Sequence, residues 1–245
     1  MPLDKSSARV RQMFGEIAGR YDFLNRLLSL GIDRWWRRRT VKLVPPEGDR
    51  PILDLCTGTA DLALAYWRTS RGQVPIVGAD FCLPMLDIAR QKCRRAGAEA
   101  QITLLEADAL RLPFADDTFQ IVSVAFGLRN VSDTDAGLRE MVRVCRPGGR
   151  VAVLEFSTPT AWPLGALYGW YFQRVLPRIG QALARNTQAA YNYLPQSVGR
   201  FPQAEALAER MRAAGLGEVW FRPFTLGVAT LYVGRKENKK DRSLV

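Results

Sequence analysis

The sequence predicts an α/β fold built on a mostly parallel sheet that finishes with an antiparallel strand. Three observations carry that expectation. Short apolar runs alternate with helical patterns from residue 51 onward, as parallel strands buried on both faces require. Acidic residues recur where those runs end, at Asp54, Asp80 and Asp108. The chain then closes on two strand-like segments joined by a short turn, which an ordinary dinucleotide-binding domain does not need.

The elements follow in order. Residues 1–50 include VRQMFGEIAGRYDFLNRLLSLGIDRWWRRRTVKLV, a helical, amphipathic stretch read as a cap over the active edge of the sheet. PILDLC (51–56) is the first strand, followed by a helix through Leu62, Leu64, Ala65 and Trp67. PIVGADF (75–81), ITLLEAD (102–108) and FQIVSVAFG (119–127) are the next three, with LPMLDIARQKCRRAG a helix between the first two of them. GLREMVRVCRPGG reads as a helix closed by Pro147, Gly148 and Gly149, and RVAVLEF (150–156) as the fifth strand. An insert at 157–200 precedes the amphipathic helix FPQAEALAERMRAAGLG, the strand pair EVWFRPFTLGVATLYVGRK and a basic tail at 237–245. This is one domain over 1–245, with its core at 51–156 and its C-terminal helix and hairpin at 201–236.

Composition excludes several classes. The 245 residues are 47% hydrophobic and 24% charged, as in a soluble globular protein. No apolar run reaches the roughly 18 to 20 residues that span a bilayer. The N-terminus lacks a signal-peptide core, so the expected location is the cytoplasm. Cys56, Cys82, Cys93 and Cys145 form no CxxC pair, and no metal site is expected. There is no histidine, which removes Ser-His-Asp and Cys-His systems and any His general base.

The net charge of +11 is unevenly spread. Residues 1–50 carry 11 Lys/Arg against 6 Asp/Glu, whereas 51–155 carry 12 against 13. The insert adds Arg174, Arg178, Arg185 and Arg200 with no acid. In AWPLGALYGWYFQRVLPRIGQALARN the aromatics Trp162, Tyr168, Trp170, Tyr171 and Phe172 crowd around Arg174 and Arg178. Rings beside arginine suit a membrane interface and equally suit stacking on single-stranded bases. A lid helix packed on its own domain is the plain structural alternative.

The first strand-to-helix turn, DLCTGTAD, holds Asp54, Gly58 and Thr59. Gly58 lets a ligand approach the backbone, and Thr59 offers a hydroxyl and an N–H. The turn lacks the GxGxxG spacing that favours pyrophosphate. Asp80 suits the ribose hydroxyls of a nucleoside, Asp108 with Ala109 suits an adenine amine, and Asp54 suits the sulfonium or amino end of the same ligand. Singly, each aspartate reads as a helix cap or turn residue. Three at successive strand ends point to a cationic ligand without phosphate, and S-adenosylmethionine (SAM) is such a ligand.

The chain resembles the UbiE/MenG/COQ5 family of SAM-dependent quinone C-methyltransferases from about Val10 to Lys236. FGEIAGRYDFLNRLLSLGIDRWWRR, ILDLCTGTADLA, VGADFCLPMLDIAR, EADALRLPFADDTFQIVSVAFGLRNVSD, VCRPGGRVAVLEFSTP and YNYLPQSVGRFP carry the resemblance. It implies a class I, Rossmann-like methyltransferase fold with a seven-stranded sheet, one strand reversed, and SAM contacts at Thr59, Asp80, Asp108 and Ala109. It also implies methyl transfer to a ring carbon of a reduced prenylated quinone. Arg129 and Asn130 in FGLRNVSD are expected to orient the phenolic oxygen or a water, with Arg129 stabilising the phenolate; a structural pair between Arg129 and Asp133 is the alternative. Tyr21 and Asp22 in GRYD are expected to close the cofactor site, and Asp33 is a base or a helix cap. Cys56 and Cys82 read as small buried packing residues. The chain departs from the family pattern at Asp33 and Tyr232, where His is common, at Gln196, where Glu is common, and at Ala125, where Ser is common.

A membrane-dissolved substrate implies a transient anionic membrane partner and a location peripheral to the inner face of the cytoplasmic membrane. The apolar cap leaves room for a homodimer. Ala60 in CTGTAD resembles the menaquinone-only relatives more than the dual-function enzymes, and that resemblance implies demethylmenaquinol, with a methoxylated benzoquinol of ubiquinone synthesis as the alternative. An RNA-directed methyltransferase is the rival from another class. Nucleic acid is not the expected partner, because no [DNS]PP[YF] turn follows the fourth strand and no cysteine has a Pro-Cys or Thr-Cys setting. A non-catalytic SAM-binding scaffold and a small-molecule N- or O-methyltransferase complete the set of rivals.

Overall fold

The computed structural model describes residues 6–159, 174 and 188–237. Its seven strands are β1 (Ile52–Leu55), β2 (Ile76–Asp80), β3 (Ile102–Glu106), β4 (Phe119–Ala125), β5 (Cys145–Phe156), β6 (Leu216–Phe224) and β7 (Ala229–Lys236). They form one sheet in the order β3-β2-β1-β4-β5-β7-β6. The first five run parallel, and β7 is antiparallel to both its neighbours. The expected reversed strand is therefore β7.

The described helices are α1 (Ser7–Leu28), α2 (Ile32–Leu43), α3 (Asp61–Thr69), α4 (Leu83–Ala96), α5 (Thr134–Val144), α6 (Gln188–Arg200) and α7 (Glu205–Ala213). None is long and apolar enough to cross a membrane. The twofold period of a strand sorts the core into two layers. Ile52, Ile121 and Leu154 pack with Trp36, Val41, Leu62 and Tyr66 of α2 and α3. Leu53, Leu55, Val122 and Val153 pack on the other face with Leu138 and Met141 of α5 and Leu207 of α7. Asp54 shares a face with Ile52, so alternation alone turns it toward the α2–α3 layer.

One expectation changes. Pro147, Gly148 and Gly149 do not close α5, which ends at Val144. They lie inside β5, where the pairing jumps from Phe119↔Cys145 to Ile121↔Arg150 and the extra residues bulge. A Cβ on Gly149 would stand 2.8 Å from the Arg146 carbonyl oxygen and 2.9 Å from that of Gln120, so the bulge closes only around glycine.

The N-terminal segment is two helices broken at Leu30 and Gly31, both left-handed at φ 52° and 77°. The indole N–H of Trp36 donates to Thr225 Oγ1 at 2.8 Å, tying α2 to the β6–β7 turn. The expected basic, aromatic insert falls mostly on 160–187, outside the described residues, as does 238–245 of the tail.

Candidate active site

The sheet order reverses direction between β1 and β4, the position where open α/β sheets bind ligands beyond the carboxyl ends of their strands. A cavity lies there, roughly 950 Å³ counting the open solvent at its mouth. Cys56 and Gly58 after β1, Asp80 and Phe81 after β2, and Asp108 and Ala109 after β3 wall one side. Phe126, Gly127 and Asn130 after β4 wall another, and Phe14 and Tyr21 of α1 cover it. A smaller space, about 310 Å³ counted in the same way, shares Tyr21, Cys56, Gly58 and Ala125 with it and adds Arg37, Asp54, Thr59 and Asp61.

Local backbone geometry explains how two turns meet. Cys56, Gly58 and Ala60 all have positive φ, at 52°, 56° and 66°, so the chain coils tightly between β1 and α3. Gly127 must be glycine, because a Cβ there would overlap the Cβ of Cys56. Cys56 is thus more than a packing residue: it is half-buried, lines both spaces and sits where the β1 and β4 turns touch. Burial and the surrounding carboxylates push its thiol pKa well above the ordinary range, which keeps it protonated and unreactive. Cys82 is buried, as expected.

The three strand-end aspartates divide between the two spaces. Asp80 faces the larger cavity. Its Oδ2 accepts the Gly58 N–H at 2.8 Å and its Oδ1 accepts the Cys82 N–H at 2.9 Å. Each oxygen keeps a second lone pair for a ligand. Burial raises the Asp80 pKa against those backbone donors. Asp108 Oδ1 accepts the Leu110 N–H at 2.9 Å, and Asp108 and Ala109 both line the larger cavity.

Asp54 does not join them. Its side chain accepts from Thr57 Oγ1 at 2.6 Å, Ala63 N at 3.1 Å and Ser123 Oγ at 3.2 Å. Only the smaller space reaches it, and burial lifts its pKa to about 6. It anchors the β1–α3 turn first. Thr59 lines the smaller space too, and its hydroxyl donates to Asp22 Oδ1 at 2.6 Å and accepts from Lys92 Nζ at 3.0 Å. Lys92 also reaches Asp22 at 2.7 Å and Asp61 at 2.5 Å. This network ties α1, α3 and α4 together and holds Tyr21, the neighbour of Asp22, over the cavity. Burial raises the Tyr21 phenol above its ordinary range, so it remains protonated at neutral pH.

Arg129 and Asn130, on a 3-10 turn after β4, also separate. Asn130 lines the larger cavity, its Nδ2 3.4 Å from the Phe126 carbonyl oxygen, and its buried Oδ1 has no hydrogen-bond partner among the described residues. Arg129 does not line the cavity. Its Nη1 donates to Glu155 Oε2 at 2.9 Å and to the Phe126 carbonyl, while its backbone N–H donates to Glu155 Oε1 at 3.1 Å. The expected direct contact with a phenolate is therefore replaced by a position behind the wall. Asp133 is not its partner either; Asp133 caps α5, accepting from Asp135 N and Ala136 N.

Four further side chains complete the picture. Asp33 is neither base nor simple cap: it is buried and pairs with Arg37 at 2.7 Å. Tyr232 accepts the Ala204 N–H at 2.7 Å through its hydroxyl and is structural. Arg37 and Lys92 escaped the sequence reading, because a lone basic residue in a basic helix carries no spacing signal.

A family model described as the ubiE/COQ5 methyltransferase family matches residues 3–236. A demethylmenaquinone methyltransferase of Deinococcus radiodurans is 49% identical over 95% of this chain and 94% of its own. One of Thermus thermophilus is 51% identical over 91% and 99%. The ubiquinone/menaquinone biosynthesis C-methyltransferase UbiE of Geobacter sulfurreducens is 46% identical over 96% and 91%. Among solved structures, the [4+2]-cyclase SpnF superposes with a TM-score of 0.70 at 18% identity, covering 97% of this chain and 98% of its own. A SAM-dependent methyltransferase from Thermotoga maritima gives 0.64 at 19%, covering 92% and 99%. That a cyclase shares the architecture shows why the fold alone does not name the chemistry.

Proposed function

The chain belongs to the ubiE/COQ5 methyltransferase family, and from that premise we propose that it methylates a ring carbon of demethylmenaquinol, using SAM, in menaquinone biosynthesis. The observation that carries the cofactor end is the pairing of Asp80 and Asp108 in a cavity whose described lining has no basic residue. Such a site accepts a nucleoside and disfavours a pyrophosphate. Asp80 keeps lone pairs for two ribose hydroxyls, and Gly58 leaves its backbone open to close approach. Bound SAM supplies an electrophilic methyl group, so the protein's task is chiefly alignment.

At the acceptor end, Asn130 Oδ1 accepts a hydrogen bond from the phenol or from a water that takes its proton. The protonated Tyr21 does not serve as that acceptor, because a phenol already held above its ordinary pKa is a poor base at neutral pH. Arg129 acts one layer back: paired to Glu155, it holds the Phe126 carbonyl and the turn that carries Asn130. The direct test is purified protein with labelled SAM and a panel of reduced demethylmenaquinone, methoxylated benzoquinol and RNA. Label in the naphthoquinol, dependent on reductant, is the expected result. Label in RNA alone would overturn the reading.

The substrate's solvent is the bilayer, so docking to an anionic membrane surface belongs to the same proposal. Supporting it, Leu30 and Leu226 stand at turn tips 83% and 69% exposed, with Trp35 half-exposed beside Phe224. Arg34, Arg38 and Lys42 are exposed on α2. Apolar tips flanked by basic residues suit a headgroup layer. Flotation with anionic liposomes at low salt checks it: the protein should rise with the lipid and the Leu30→Glu/Leu226→Glu variant should not. Failure of the parent protein to float sinks the docking claim.

A further inference from the structure

Arg37 is the one basic side chain, among the described residues, that lines either cavity. Its place in α2 buries the guanidinium, which stacks 5.3 Å from the Phe126 ring centroid. Its hydrogen bonds are lopsided. Nη1 donates to Asp33 Oδ2 at 2.7 Å and to the Asp33 carbonyl at 3.2 Å. Nε and Nη2 have no hydrogen-bond partner among the described residues. A guanidinium has five N–H groups in a planar fork, so the Nε–Nη2 edge is unclaimed. That edge is the one that grips a carboxylate through two parallel bonds.

The surroundings narrow the anion. The smaller space adjoins the larger one across Gly58 and Tyr21, and its other charged walls are Asp54 and Asp61. A phosphate would meet two carboxylates there. A zwitterionic amino acid would instead place its carboxylate on the arginine and its ammonium toward the acids. We propose that Arg37 binds the α-carboxylate of the methionyl group of SAM, with the adenosyl group in the larger cavity beside Asp80 and Asp108. The Asp33 pair then has a positioning role: it holds Nη1 and aims the free edge. The inference rests on the cofactor reading above and deepens it.

The test compares two ligands by calorimetry: S-adenosylhomocysteine and its decarboxylated analogue, which keeps the amine and lacks only the carboxylate. The parent protein should prefer the first by roughly 10- to 100-fold, the range for a charge-assisted pair. Arg37→Met should bring the two affinities within about threefold, by weakening the carboxylate ligand alone, and Arg37→Lys should keep part of the preference because it retains charge but not the fork. An equal preference in parent and Arg37→Met overturns the inference, as does a parent that does not distinguish the ligands. Should Arg37→Met fail to fold, the parent ratio and the Arg37→Lys ratio decide: a lysine variant that discriminates as well as the parent overturns the bidentate contact. A parent that binds neither ligand overturns the cofactor reading itself, and this inference with it.

Discussion

Arg37 and Arg129 flank the same pair of rings and differ in the partner that holds them and in what they face. Arg37 lies over Phe126 and Arg129 over Phe156, each at 5.3 Å, with the rings 4.4 Å apart. Arg37 takes its carboxylate from its own helix, four residues back, and keeps an edge toward a cavity. Arg129 takes its carboxylate from β5, 26 residues on, and also holds a backbone carbonyl. Each guanidinium bonds through Nη1 alone, to one carboxylate and one backbone carbonyl. The difference lies in what the remaining edge meets: Arg37 lines a cavity, whereas Arg129 is packed behind the wall with its Nε buried. The α2 side of the site therefore presents a charge, whereas the β4-turn side presents the neutral amide of Asn130 backed by a charge.

The largest effect should come from breaking the long-range pair. Arg129→Leu strands Glu155 at 1% exposure, and removing one partner of a buried pair costs about 3 to 5 kcal/mol. Urea unfolding measures it, and a loss under about 1 kcal/mol would mean the pair does not lock the strand ends. Next is the pH dependence of Asp54, the buried acid on the Arg37 side. Its folded pKa is raised to about 6 from 3.8, so between those values the folded state binds more protons than the unfolded chain. Stability from this group is full below the unfolded pKa and is lost as pH climbs through 6, by about 3 kcal/mol. The stability difference between the parent and Asp54→Asn should shift by most of that amount, about 2 kcal/mol, from pH 4 to pH 7, and a constant difference would refute the raised pKa.

Gly58→Ala should cost about 1 kcal/mol for a non-glycine at positive φ. The added Cβ meets Met85 Cε at an ordinary 3.4 Å, so a far larger melting shift would point to a hidden clash. Asn130→Ala should change stability least, within about 0.5 kcal/mol, since its one bond is long. It should nonetheless slow single-turnover methyl transfer by roughly a hundredfold, the lower range for a group that handles a proton, with S-adenosylhomocysteine affinity unchanged. Unaltered transfer would remove Asn130 from the acceptor site.

Much of the frame was legible because it is periodic. Each expected strand formed within a few residues of its apolar run, and Asp80, Asp108, Ala109 and Gly58 reached one cavity because strand ends in a parallel sheet point the same way. The errors share a cause. CRPGG reads locally as a helix stop, yet pairing with β4 drew it into β5 as a bulge. The same distance hides the partners of Thr59 and Asp54 in the turn: Lys92, Asp22 and Ser123, 33 or more residues away, share their oxygens.

Strand and helix periods, the glycine turn and the acidic strand ends are properties of neighbouring residues, and they were enough to set the architecture and the Asp80–Asp108 wall of the cavity. Partner choice is different. Whether Arg129 pairs with Asp133 or Glu155, and whether Arg37 faces solvent or a cavity, depends on which side chains meet once the helices dock on the sheet. Burial then makes each such meeting decisive, because a charge removed from water must find a partner, and only the packed layers determine which one is within reach.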